Sequence, residues 1–88
     1  MSNASLISFV ARSKRRREVL VILERSKEIS QAEIMRLSNQ YKSHNSRTLK
    51  ELSEKSLVVC ANPLDRSFRF YKIAKKGRDI LKEVIKIK

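Results

Sequence analysis

Conformationally special residues are scarce in this sequence. Among 88 residues there is one Gly, one Pro, one Cys and no Trp. Gly77 and Pro63 alone supply neither a flexible linker nor a glycine-rich phosphate loop, so one domain over residues 1–88 is expected. Cys60 has no partner for an internal disulfide, which fits a reducing cytosol.

Long apolar runs are missing as well. No stretch approaches the roughly 20 residues of a membrane-spanning helix. No secretory signal peptide is evident, because the basic cluster follows rather than precedes the short apolar stretch 6–11. We therefore expect a cytoplasmic, nucleoid-associated protein.

Acidic residues are few. Nine Asp and Glu oppose 21 Lys and Arg, which gives a net charge of +12. Such an excess indicates a polyanionic partner, either nucleic acid or an acidic membrane surface. Residues 36–50 hold four basic residues and no acid, and residues 62–78 hold six basic residues and one acid. A general solvated surface would mix the signs more evenly.

Groupings that carry catalysis or bind metal are absent. His44 and Cys60 are the only residues of their types, which is too few ligands for a zinc site within one subunit. Cys60 fits a small apolar strand residue, with redox sensing as the alternative. We expect no catalytic residue, no metal, no cofactor and no identifiable small-molecule ligand, and hence no enzyme.

What the sequence does contain is two short helices joined by a polar turn. Ser30 and Glu33 have the S-x-x-E spacing of a capping box, which predicts a helix over residues 30–38. Ser43 is the expected N-cap of a second helix, over residues 43–55.

The second helix has one apolar face and one basic face. Thr48, Leu49 and Leu52 share the face that we expect to be buried. Small polar and basic side chains occupy the other face or the tip: Lys42, Ser43, His44, Ser46, Arg47 and Lys50. A helix with this arrangement fits a DNA major groove.

A long first helix is expected over residues 5–26. Five positive charges fall within residues 12–17, and either a solvated face or contact with phosphate or an acidic partner explains them. Phe9 and Val10 precede this cluster and have no obvious core to join. Packing against a second subunit would cover them, with a frayed start as the alternative.

A β-hairpin is predicted over residues 57–73, with a turn around Pro63. A strand stub at 27–29 could pair with its edge. Alternation along the returning strand directs Tyr71 and Ile73 toward the core and leaves Arg69 near the tip beside Arg66.

The last predicted helix covers residues 75–87. Its apolar stripe includes Ile80, Leu81, Val84 and Ile85 and continues to Ile87, which is broad for so small a domain. We expect part of this stripe, including Ile80 and Val84, to form a dimer face with Phe9 and Val10 of the first helix.

Several short motifs resemble those of one protein class. They are RTLKEL at 47–52, EKSLV at 54–58, RFYKI at 69–73 and KG at 76–77. Together they resemble prokaryotic winged helix-turn-helix transcriptional regulators of the ArsR/MarR-like, archaeal type, over about residues 12–81. The resemblance implies an α+β, mostly α fold with a three-helix core, a two-stranded wing and a C-terminal helix.

The resemblance also implies a homodimer on double-stranded DNA. Its recognition helix would be 43–55, with the six polar and basic residues named above as contacts, and Arg66 and Arg69 would act from the wing. Three positions depart from the family pattern. Ser56 replaces a helix-ending Gly, Asn45 replaces an inward apolar residue, and Ala74 replaces a capping Thr.

The leading hypothesis is therefore a sequence-specific, dimeric DNA-binding regulator without membrane contact. Arg47 is the first candidate for reading a guanine edge, and Lys50 is the second. Two alternatives stay open. One is a non-specific chromatin-type or RNA-binding protein, and the other is a winged helix that binds proteins within a larger assembly.

Overall fold

The computed structural model describes residues 3–86. Within that range the elements are α1 (Ala4–Ala11), α2 (Lys14–Glu24), β1 (Ile29–Ser30), α3 (Gln31–Ser38), α4 (Lys42–Glu54), β2 (Val58–Cys60), β3 (Phe70–Ile73) and α5 (Lys75–Lys86). The three strands form one antiparallel sheet in the order β1–β3–β2. The fold is thus mostly helical with a small sheet, as expected, and β1 adds a third strand to the hairpin. Ile87 lies outside the described residues.

The prediction of one helix over residues 5–26 is wrong. The chain breaks after α1, and Ser13 takes an extended conformation with φ −122° and ψ 115°. Its hydroxyl accepts a hydrogen bond from the amide of Arg16 at 3.3 Å, so it caps the start of α2. Serine competes with a continuing helix in this way because its side chain satisfies an otherwise orphaned amide.

The break lets α1 fold back against α5, and this corrects the expected dimer face. Val10, Ile80 and Val84 are buried in the chain's own core. Phe9 is half-buried and packs against the same core. The apolar start of the chain therefore has an intramolecular partner. Ile85, which was assigned to the same stripe, is instead 57% exposed.

The core lies between the helices and one face of the sheet. Tyr71 and Ile73 are buried, as the alternation predicted. The other buried apolar side chains come from every helix, from β1 and from the start of the hairpin: Val10, Val19, Leu20, Leu23, Ile29, Ile34, Leu49, Leu52, Leu57, Val58, Ile80, Leu81 and Val84.

The turn between α3 and α4 sets the direction of α4. The hydroxyl of Ser30 accepts from the amide of Glu33 at 3.2 Å, which confirms the predicted cap of α3. Asn39 ends α3 in the left-handed region, with φ 56°. The prediction of Ser43 as the N-cap of α4 is wrong. Tyr41 holds that position with extended angles, and Ser43 lies in the first turn.

The end of α4 turns the chain into the sheet. Ser56 has φ 61°, the left-handed conformation that glycine usually supplies. The amide of Leu57 donates to the carbonyl of Leu52 at 2.9 Å, and the amide of Ser56 donates to Ser53 at 3.0 Å. Leu52 and Leu57 are both fully buried, so the turn fixes α4 and β2 against the same core.

Gly77 allows α5 to approach this turn. A Cβ atom at that position would lie 2.0 Å from the carbonyl oxygen of Leu57. The same oxygen accepts from the amide of Ala74 at 3.0 Å. The C-terminal helix can therefore lie this close to the sheet because Gly77 has no side chain.

Candidate nucleic-acid interface

The inner face of α4 is anchored in the core. Thr48, Leu49 and Leu52 are buried there, as the helical spacing predicted. Asn45 is also fully buried, and its amide nitrogen donates to Oε1 of Gln40 at 3.0 Å. Asn45 therefore belongs to the supporting side of the helix and is not available to a ligand.

The outer face of α4 presents the predicted contacts. Lys42, Ser43, Ser46, Arg47 and Lys50 are exposed there. His44 is half-buried, and its ring lies edge-on to the ring of Tyr41 with centroids 6.4 Å apart.

Five carboxylates pair with cations, and these pairs lie away from the outer face of α4. Within residues 3–86 the ion pairs are Arg16–Glu51, Arg36–Glu33, Lys75–Asp79, Arg78–Glu24 and Lys86–Glu83. None of them involves the outer face of α4. In this part of the chain Lys42, Arg47 and Lys50 thus have no side-chain hydrogen bond or ion pair. Their positive charge remains available to a ligand.

The loop 61–69 that joins β2 to β3 is held by two polar side chains. The amide group of Asn62 donates to the carbonyl of Phe68 at 2.6 Å and accepts from the amide of Phe70 at 2.8 Å. Oδ1 of Asp65 accepts from the amides of Phe68 and Ser67, each at 2.8 Å. Those amides, with a smaller contribution from the charge of Arg69, hold the pKa of the Asp65 carboxyl below its usual value.

A groove of about 850 Å³ lies between the start of α3, the outer face of α4 and this hairpin. We call it the basic groove. Lys42 and Lys50 line it from α4, and Arg66 and Arg69 line it from the hairpin. No carboxylate lines it. The remaining lining residues are Ser30, Gln31, Ala32, Met35, Ser46, Ser53, Cys60, Ser67, Phe68 and Tyr71.

Gln31 ties the two sides of the basic groove together. Its side chain donates to the hydroxyl of Ser46 at 3.0 Å, and its backbone amide donates to the carbonyl of Arg69 at 2.9 Å. The distance between α4 and the hairpin is therefore fixed by a direct bridge. Because these contacts join residues far apart in the chain, no sequence pattern indicated that Gln31 belongs to the site.

The structure brings together four of the predicted basic residues and separates others. Lys42, Lys50, Arg66 and Arg69 share the basic groove with Ser46. Ser43, His44 and Arg47 lie on α4 outside its lining. The described residues 3–86 contain no group of three or more His, Cys, Asp or Glu that could hold a metal ion. No helix in that range is long and apolar enough to cross a membrane.

One cation of the N-terminal cluster has a structural role that the sequence did not indicate. The guanidinium of Arg16 donates to Oε1 of Glu51 at 3.2 Å and to the carbonyl of Phe9 at 2.6 Å. It also stacks 3.7 Å from the centre of the Phe9 ring. Arg17 donates to the carbonyl of Ala11. Exposed cations remain in the cluster at Arg12, Lys14 and Arg15.

Several solved structures share this fold. BpsR of Bordetella bronchiseptica, whose DNA binding is regulated by 6-hydroxynicotinic acid, matches 84% of the chain with a TM-score of 0.77 and 16% identity. The fold is shared with a DNA-binding protein. NadR, solved in complex with 4-hydroxyphenylacetate, matches 93% of the chain with a TM-score of 0.77 and 17% identity.

A third structure, RV1404 from Mycobacterium tuberculosis, matches 94% of the chain with a TM-score of 0.73 and 20% identity. The chain spans 57%, 60% and 64% of the lengths of these three proteins. At such identities the likeness concerns the fold. No protein family profile matches the sequence, and no curated protein matches it either.

Proposed function

We propose that this chain is a sequence-specific DNA-binding transcriptional regulator. The observation that carries the proposal is the basic groove, where unpaired cations of α4 face the arginines of the hairpin with no carboxylate among the lining residues. Two elements that present positive charge to one groove suit the paired phosphate rows of a duplex. The fold that the chain shares with BpsR supports the same conclusion.

In this proposal α3 and α4 form a helix-turn-helix, and the hairpin is the wing of a winged helix. α4 enters the major groove, where Arg47 reads a guanine edge and Lys50 is the second base contact. Lys42, Ser43, His44 and Ser46 contribute contacts at the start of the helix.

The hairpin supplies the second set of contacts. Arg66 and Arg69 lie along the DNA backbone or in the adjacent minor groove, where positive charge meets the phosphates. The motifs at 47–58 and 69–77 further favour an ArsR/MarR-like regulator of archaeal type, and this affiliation rests on the sequence alone.

We propose that the chain binds DNA as a homodimer. A chain with a charge of +12 self-associates best where few like charges meet. An apolar cleft of about 500 Å³ meets that condition, since Arg17 and Glu18 are its only charged residues. The partly exposed Leu37 and Ile85 line it, and Val84 lies in its wall.

Selection of bound duplexes from a random DNA pool tests the proposal. We expect enrichment of a roughly palindromic site whose half-sites lie about 34 Å apart, one helical turn, and a particle mass of two chains. A pool that enriches no motif would show that α4 does not read sequence, even if the protein binds DNA.

Non-specific binding of nucleic acid is the second candidate. The exposed cations Arg12, Lys14 and Arg15 favour it, because they lie outside the basic groove and add charge without recognition geometry. This candidate predicts steep loss of affinity with salt and equal affinity for unrelated duplexes or for RNA.

A further inference from the structure

Two large apolar side chains lie exposed at the hairpin loop. Leu64 is 96% exposed and Phe68 is 70% exposed. Neither contributes to the hydrophobic core. A single exposed apolar residue is common on protein surfaces, but two of them on one short loop beside a basic groove form a candidate contact surface.

The Phe68 ring projects from a fixed backbone. Its amide donates to Asp65, and its carbonyl accepts from Asn62 at 2.6 Å. Asn62 also accepts from the amide of Phe70 across the hairpin. Both backbone groups of Phe68 are therefore engaged, so the backbone that carries the exposed ring is held in place.

Positively charged residues lie on both sides of Phe68 in the chain. Arg66 and Arg69 flank Phe68 in the chain, and all three line the basic groove. The nearest carboxylate in sequence, Asp65, accepts from the amides of Ser67 and Phe68 and interacts with the charge of Arg69, whereas Arg66 forms no ion pair within residues 3–86. The surface thus combines an apolar wedge with two guanidinium groups. Duplex DNA offers the matching surface, because it stacks apolar bases between two rows of phosphates.

We propose that Phe68 inserts between adjacent base pairs from the minor groove and kinks the bound DNA, with Leu64 as a second apolar contact. Arg66 and Arg69 hold the phosphates on either side. This inference rests on the proposed function, because it requires that the hairpin lie on a duplex. Insertion is easiest at flexible pyrimidine–purine steps, so the hairpin adds a preference for TA or CA steps beyond the bases that α4 contacts.

The experiment measures DNA binding and base unstacking in the same sample. Short duplexes carry 2-aminopurine, whose emission rises when it is unstacked, at a TA, CA or AA step. Fluorescence anisotropy of an end label reports binding. Wild-type protein should raise the 2-aminopurine emission at TA and CA steps more than at AA steps. Phe68→Ala should abolish the rise and weaken binding about tenfold.

Matched variants separate the wedge from charge and from folding. Phe68→Leu keeps an apolar wedge and should retain most of the rise in emission. Arg66→Ala should weaken binding while leaving the rise intact at saturating protein. Circular dichroism of Phe68→Ala checks that the fold is kept, which is expected because the side chain lies outside the core.

Three results would overturn the inference. Tight binding with unchanged emission would reject insertion but leave the proposed DNA binding intact. Absence of binding to any duplex would reject both. Phe68-dependent binding to vesicles containing anionic lipid, without unstacking of DNA, would assign the exposed side chains to a membrane surface instead.

Discussion

Arg16 connects three helices through a single side chain. Its guanidinium contacts Glu51 of α4 and both the carbonyl and the ring of Phe9 in α1, although Arg16 itself belongs to α2. The side chain is only 18% exposed, so solvent screens these contacts less than those of a surface pair. Arg16 therefore holds the back of α4 in place.

Replacing Arg16 should destabilise the fold. Arg16→Ala leaves the Glu51 carboxylate and the Phe9 carbonyl without a donor, and we expect it to lower the free energy of unfolding by about 2 kcal/mol. Arg16→Lys should recover only part of the loss, because an ammonium cannot reproduce the planar contacts. Urea denaturation measures the change. The matched control is Arg15→Ala, which removes an exposed neighbouring arginine. A comparable loss of unfolding free energy in this control would contradict the structural role of Arg16.

Ser56 carries backbone strain at the end of α4. It has φ 61°, where an L-residue is disfavoured and glycine is not. Ser56→Gly should therefore raise the free energy of unfolding by about 0.5–1 kcal/mol, the cost removed less the extra chain entropy of glycine. Ser53→Gly, within the helix, should lower it by a similar amount. Thermal unfolding measures both changes. If Ser56→Gly and Ser53→Gly shift the unfolding temperature in the same direction, Ser56 carries no backbone strain.

At the residue scale, the sequence indicated local features such as helix caps and helix ends. It did not indicate which side chains would pair with each other across the fold. Ser56 replaces the helix-ending glycine of the family motif, and it takes the left-handed conformation that the glycine would supply. The buried position of Asn45 could not be decided from the sequence, because it depends on the amide partner that Gln40 supplies. The same holds for Arg16, whose partners lie in two other helices.

At the scale of elements, the loop of the hairpin is held by the carboxylate of Asp65. The amides of Phe68 and Ser67 hold the pKa of Asp65 below its usual value, so these contacts favour the ionised form. A group with a lowered pKa in the folded state stabilises above its ordinary pKa. That stabilisation is lost as the pH falls through the lower, folded value. The tip of the hairpin should therefore loosen in acid before the core does.

Amide hydrogen exchange of Ser67 and Phe68 tests this dependence. Protection of these two amides should fall in acid for the wild type, after correction for the intrinsic exchange rate. Asp65→Asn retains an acceptor without a titratable proton, so its protection should not follow this titration. Asp65→Ala should lose the protection at every pH. If the wild type and Asp65→Asn respond to acid alike, the carboxylate does not control the loop.

The helices show where periodicity is sufficient and where it is not. Helices stand at 31–38 and 42–54, close to the ranges predicted over 30–38 and 43–55. In those segments capping residues and apolar spacing agree with the tertiary packing. The first helix was predicted wrongly because residues 12–18 contain no glycine or proline that would signal a break. The break at Ser13 combines the side-chain cap of that residue with the packing of α1 on α5, which is distant in sequence.

For the whole molecule, the distribution of ion pairs determines which cations remain available. The five ion pairs found in residues 3–86 leave the outer face of α4 and Arg66 uncompensated. The net charge and its clustering were visible in the sequence. Which cations would be neutralised was not, because Arg16–Glu51 and Arg78–Glu24 join residues far apart in the chain.

The proposed dimer is tested at the apolar cleft. Ile85 is an exposed residue in the lining of that cleft, and a carboxylate there would lose its hydration on association, which costs free energy. We expect Ile85→Glu to raise the dimer dissociation constant at least about tenfold, measured by light scattering after size exclusion. The control is Lys82→Glu, an exposed position outside the cleft. If both variants raise the dissociation constant equally, the dimer interface does not lie at the apolar cleft. If the wild type is a monomer, the proposed dimer does not exist.

The most direct test of the central claim, that α4 reads base sequence, is the affinity of Arg47→Ala for a selected duplex and for its scrambled counterpart. Fluorescence anisotropy at one fixed salt concentration gives both values. We predict a loss of about 1–3 kcal/mol on the selected duplex and a much smaller loss on the scrambled one. An equal loss on both duplexes would make Arg47 a phosphate contact and contradict sequence reading by this side chain.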